Sequence, residues 1–159
     1  MATDILPLSE TFDFSTVPSG YVLCTNSACP LRQDCLRYLA GVNAPESLEM
    51  ARCVMPKTLK DGQCRWLNRK QVVVKAYGFT LLYDHILKKD YTAIRKSITK
   101  YLHGAKMYYE YKRGERPLKP EQQQWIRDLL KSYGYECEEP FDRCIEDYDY
   151  CSIPLVDEE

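Results

Sequence analysis

Histidine is nearly missing from this chain: two occur in 159 residues, His85 and His103, and they fall on separate predicted helices. That removes the side chain most used as a general base near neutral pH. The chain also has no Gly-x-Ser-x-Gly elbow, no phosphate-binding glycine loop and no dinucleotide fingerprint. Familiar hydrolase and nucleotide-binding chemistries therefore have no foothold, and the protein is expected not to be an enzyme. No run approaches the ~18 uninterrupted apolar residues of a membrane helix. The opening Met1-Ala2-Thr3-Asp4-Ile5-Leu6-Pro7 has neither a basic segment nor a hydrophobic one, so no secretory signal is read and the cytoplasm is the expected compartment. Repeats with a period of about 20–50 residues and low-complexity linkers are also lacking, which excludes a solenoid.

What the chain does have is tyrosine, cysteine and a polarised charge. Thirteen tyrosines stand against four phenylalanines. Tyrosine buries a ring while keeping its hydroxyl wet, which suits thin cores and helix packing. The net charge is −1, yet residues 51–132 hold 19 Lys/Arg against 7 Asp/Glu, and residues 133–159 hold 10 Asp/Glu against Arg143 alone. Such asymmetry fits a nucleic-acid surface with an acidic segment, or two solvated faces of opposite sign.

Periodicity predicts a mainly α protein. Residues 1–23 are irregular, and Pro30 opens a short helix that Gly41 closes. Residues 42–65 are mostly loop, with a helical turn at Pro45–Ala51. Val73, Val74, Tyr77, Leu81, Leu82 and Ile86 follow one helix face, although Val72-Val73-Val74 can instead begin a strand. Asp90 caps a helix with an apolar stripe of Tyr91, Ile94, Ile98, Tyr101 and Leu102. Gly104 ends it, Ala105–Lys112 forms another, and Pro120 starts a third that buries Trp125, Ile126, Leu129, Leu130 and Tyr133. Pro140–Tyr148 reads as one more short helix. The division expected is a cysteine-bearing module over residues 1–68, a helical domain over 69–136 and an acidic segment over 137–159.

Five of the eight cysteines lie between Cys24 and Cys64. In a reducing compartment a disulfide framework is not expected, and clustered cysteines more often bind metal or do redox work. Cys24, Cys29 and Cys35 place three thiols within twelve residues. Cys64 is the fourth candidate, because Gly62 permits a tight turn beside it, whereas Cys53 reads as packing. Four thiolates suit a structural zinc ion or an iron–sulfur cluster. The alternative is no metal and a set of reduced, buried thiols. Cys137, Cys144 and Cys151 recur every seven residues but span Pro140 and a dense acidic run, and are taken as incidental. The segment Cys29-Pro30-Leu31-Arg32-Gln33-Asp34-Cys35 locally resembles the last stretch of the four-iron loop in base-excision DNA glycosylases.

Between Arg95 and Lys119 there are eight basic residues and two acidic ones. The order of helix, glycine, short helix, basic pair, glycine and Pro-marked helix resembles the helix-turn-helix of phage-repressor-type regulators, with Ala105–Arg113 in the place of the recognition helix. That resemblance implies nucleic-acid contacts at Lys106, Tyr109, Lys112, Arg113 and Arg116, with Tyr108 or Tyr111 turned inward. The competing reading is a solvated basic hairpin, and a second partner class is an acidic protein met by the Tyr-rich surface.

Phe14-Ser15-Thr16-Val17-Pro18, the Cys24/Cys29/Cys35 spacing, Tyr109–Arg116 with Glu121-Gln122-Gln123, and Phe141-Asp142 to Glu146-Asp147-Tyr148-Asp149 together resemble an uncharacterised family of small proteins from gut anaerobic bacteria. The resemblance implies that Cys24, Cys29, Cys35 and Cys64 are the retained set, and it brings no activity. The functional expectation is a non-catalytic, metal-braced nucleic-acid-binding or regulatory protein, with a protein-protein adaptor as the alternative.

Overall fold

Val72-Val73-Val74 settles the architecture. Three consecutive β-branched residues are stiff in a helix and pack well on a pleated surface. In the computed structural model, which describes residues 4–137 and 139–151, they open a strand. In chain order the elements are β1 (Ile5–Leu6), α1 (Leu36–Val42), β2 (Leu59–Lys60), β3 (Gln63–Cys64), β4 (Val72–Tyr77), α2 (Lys88–Tyr101), α3 (Ala105–Lys112), β5 (Pro117–Leu118), α4 (Pro120–Ser132) and β6 (Arg143–Tyr148). The fold is mixed α/β, which corrects the mainly α expectation. Four strands form one mixed sheet in the order β1-β6-β4-β5, and β2 and β3 form a separate hairpin.

Two segments account for that correction. The expected helix through Val73–Ile86 is β4 followed by a single 3-10 turn at Leu81–Tyr83. Gly78 breaks the run with φ +74°, a conformation that favours glycine. The expected helix at Pro140–Tyr148 is β6. It lies beside β4 and pairs in parallel with β1, Ile5 opposite Cys144. The Pro30 helix is also shorter than expected, with a 3-10 turn at Arg32–Asp34 and then α1, in which Gly41 is interior and Asn43 follows the end. Asp90 sits in the first turn of α2 rather than capping it and accepts a 2.6 Å hydrogen bond from the Tyr135 hydroxyl.

Among the described residues the chain forms two compact units, one of residues 4–8 and 73–147, the other of 9–72 and 148–151. In the first, Ile94 and Ile98 from α2, Leu102 just after it, Tyr108 from α3, and Ile126 and Leu130 from α4 are buried with Ala76, Leu118, Phe79 and Phe141. Gln123 is buried as well, and its amide donates to the carbonyls of Val74 and Leu118, each at 2.8 Å. Lys75 on β4 pairs with Asp147 on β6 at 2.6 Å. The second unit has a thinner core of Leu23, Cys35, Leu36 and Ala40, with Arg37 and Asn68 buried among them. Of the acidic segment expected over 137–159, residues 138 and 152–159 lie outside the described residues.

Candidate metal centre and basic helical surface

The stretch from Cys24 to Cys35 and strand β3 bring the four candidate cysteines of the second unit to the lining of one pocket. Cys24 follows Leu23, whose N–H and C=O are engaged by Arg52 and Val54, each at 2.8 Å. The Cys24 N–H donates to the Arg37 carbonyl of α1 at 3.0 Å. Cys29 closes a turn onto the Asn26 carbonyl, while the Asn26 side chain accepts from the Ala28 N–H. Cys35 sits at the N-cap of α1 and is held by an isolated antiparallel bridge to Arg69. Cys64 lies on β3, just after a turn in which Asp61 and Gly62 both have positive φ (51° and 74°), the pairing a two-residue hairpin requires.

Cys24, Cys29, Cys35 and Cys64 all line this pocket, with Leu31, Tyr38, Val54, Trp66 and Leu67 among its apolar walls. Its volume of about 20 Å³ is room for roughly one water-sized sphere. Cys53 is exposed and lies apart from this lining. Burial pushes the Cys24 thiol above its usual range, and the neighbouring Cys35, Cys29 and Cys64 push the same way. All four are free thiols, and among the described residues no group of three or more Cys, His, Asp or Glu side chains stands arranged to hold a metal ion.

Arg37 organises this pocket, and sequence reasoning missed it. It is buried, donates to the Trp66 and Val22 carbonyls at 2.8 Å each, and lies over the rings of Tyr21 and Trp66 at 4.9 and 5.9 Å. One guanidinium thereby ties the Cys24 segment to the Cys64 segment. Arg32 also lines the pocket and bonds the Cys29 carbonyl at 3.2 Å. Two cations beside four thiols offset the charge those thiols would carry as thiolates. An arginine in the first turn of a short helix carries no local signal of such a role.

In the first unit two groups of basic residues differ in their surroundings. Lys112 lies 5.2 Å from the centroid of the Tyr83 ring, Arg113 forms a two-bond pair with Glu115 (2.7 and 3.2 Å), and Arg116 pairs with Glu110. Tyr109 is exposed but accepts from Arg95 at 2.6 Å, and Lys106 is exposed. Tyr108 is the tyrosine turned inward, donating to Tyr83 at 2.6 Å. After α3 the chain enters β5, which pairs antiparallel with β4, before α4 begins. The other group, Arg95, Lys96 and Lys100 on α2, lines an open groove of about 430 Å³ with Tyr91, Thr92, Thr99 and Gly104.

Both histidines are exposed, His85 in a turn rather than at a helix edge, and His103 in the left-handed region (φ 64°) where α2 ends. Cys144 is buried, and that burial raises its thiol above the usual range.

These features define a small mixed α/β protein with a four-thiol pocket and a basic helical face. The chain belongs to the family of unknown function DUF6078, which it matches over residues 8–150. No curated protein matches it, and no solved structure does.

Proposed function

We propose that this is a non-catalytic nucleic-acid-binding or regulatory protein whose thin second unit is braced by a metal held on Cys24, Cys29, Cys35 and Cys64. The observation that carries the reading is the shared pocket: Cys24, Cys29 and Cys35 from one stretch of chain and Cys64 from β3 line the same small, largely apolar space together with Arg32 and Arg37. Sulfur donors of this kind select zinc or an iron–sulfur cluster over hard cations such as magnesium or calcium. Binding draws the four thiols inward and releases their protons. The residues 24–35 that carry three of them contain only one 3-10 turn before α1, so this segment can contract without unwinding a helix.

The nucleic-acid half of the reading is supported by the excess of lysine and arginine on α2 and α3, which suits a phosphate backbone. Both histidines face solvent.

Elemental analysis and a visible spectrum of anaerobically purified protein test the metal. One equivalent of zinc in a colourless protein, or iron with a broad visible band, supports the brace and names its occupant. A colourless protein that stays metal-free after reconstitution with zinc, and with iron and sulfide, overturns it.

A further inference from the structure

We infer that the nucleic-acid contact lies in the groove of α2, on Thr92, Lys96, Thr99, Lys100 and the N-terminus of α3, and not on the basic end of α3. The inference rests on the nucleic-acid reading above and specifies its surface. Three of the residues that the helix-turn-helix pattern singles out already have partners: Lys112 faces Tyr83, Arg113 pairs with Glu115 and Arg116 with Glu110. A phosphate there would have to displace two carboxylates. The α2 groove has no acidic residue among its described lining, and Lys96 and Lys100 are exposed.

The geometry matches a strand of phosphates. At 1.5 Å of rise per residue, Thr92 and Lys100 lie about 12 Å apart along α2. For a strand whose axis runs parallel to α2, with one charge per roughly 3.4 Å of axis, that length has room for about three phosphates. Two lysines and two threonine hydroxyls are the side chains that bind phosphate oxygens without reading sequence. At the end of the groove Gly104 precedes α3 as its N-cap residue and brings no capping side chain. The backbone N–H groups of that first turn and the positive end of the helix dipole add to the attraction for an anion. Arg95 is fixed by the Tyr109 hydroxyl and by the rings of Tyr108 and Tyr109 at 5.9 and 5.8 Å, so it contributes a positioned charge at low entropic cost. Tyr91 in the lining of the groove adds an aromatic residue of the kind on which bases stack, which favours nucleic acid over an acidic polypeptide.

Anisotropy titrations of a labelled mixed-sequence oligonucleotide, single-stranded and duplex, over a salt series test this with the full chain. The variants are K96Q/K100Q and R113Q/R116Q, all at exposed positions, with circular dichroism as the check on folding. Loss of two phosphate contacts should lower the slope of log affinity against log salt by about 2 and weaken low-salt binding at least tenfold, as each contact carries a slope near 0.9. R113Q/R116Q should bind as the parent does. If K96Q/K100Q is unchanged while R113Q/R116Q fails to bind, the groove is wrong and the nucleic-acid reading survives. If the parent chain binds no oligonucleotide at any salt, that reading falls and the groove with it. Competition by polyglutamate as effective as by DNA, or by inorganic phosphate at equal phosphate concentration, replaces the inference with an acidic protein or a small anion.

Discussion

A methyl group added at Gly41 would put its carbon 2.1 Å from the Cys24 carbonyl oxygen and 2.9 Å from the Cys24 carbonyl carbon. Those are backbone atoms and cannot turn aside. Within a helix, Gly→Ala ordinarily stabilises by about 0.5–1 kcal/mol, so position 41 offers a test in which the sign reverses. Gly41→Ala is expected to lower unfolding stability by about 2 kcal/mol in urea titrations, and an increase would show that α1 does not rest on the Cys24 segment. Cys24 itself gives a pH prediction. Burial raises its folded pKa above the ordinary value of 9.0, so in the metal-free protein its contribution is complete below pH 9.0 and declines as pH climbs past that value. Melting temperature followed from neutral to alkaline pH should fall above pH 9, less steeply in Cys24→Ala. Metal affinity runs the other way and rises with pH, because the bound form is the thiolate.

Elements are held by contacts that single residues cannot advertise. Gln123 joins α4 to β4 and β5 at once by donating to one carbonyl on each. Gln123→Ala strands both acceptors in a buried setting, and a cost of about 2–3 kcal/mol is expected, read as a lower urea midpoint at unchanged m-value. A loss under half that size would mean that water replaces the amide. The helices α2, α3 and α4 were legible because their apolar residues recur at helical spacing and because Gly104, Gly114 and Pro120 punctuate them. The strands were less legible for two physical reasons. Over six residues, Val73, Val74 and Tyr77 satisfy a helical template and a strand template alike. In Arg143–Tyr148 the buried positions are Cys144 and Asp147, three apart, so neither an alternating nor a helical stripe stands out. That segment is extended because β1 and β4 supply its neighbours from far along the chain, and no local pattern encodes a partner of that kind. The thiol pocket was partly legible. Spacing named Cys24, Cys29 and Cys35, and the residues beside Cys64 and Cys53 favoured Cys64 as the fourth, but nothing in the sequence marks Arg37 as the link between their segments.

At the scale of the whole molecule the two units differ in what holds them. The first buries side chains from three helices and from strands β4, β5 and β6, whereas among its described residues the second has few buried aliphatic side chains and, besides short 3-10 turns, only α1 and the β2-β3 hairpin. Structural zinc in small domains carries about 10–16 kcal/mol of apparent binding free energy, as much as the entire stability of a typical domain, about 5–15 kcal/mol. If the four thiols hold such an ion, removing it leaves the second unit near or past its folding limit while the first keeps its own core. Hydrogen exchange by mass spectrometry, run before and after chelation, reads the units separately. Protection should collapse at Leu23–Val54 and around α1, and persist in α2 and α4. Equal loss in both units would mean that they unfold as one body. Protection unchanged everywhere in a protein shown to have lost its metal would mean that Arg37 and the apolar walls hold the pocket unaided.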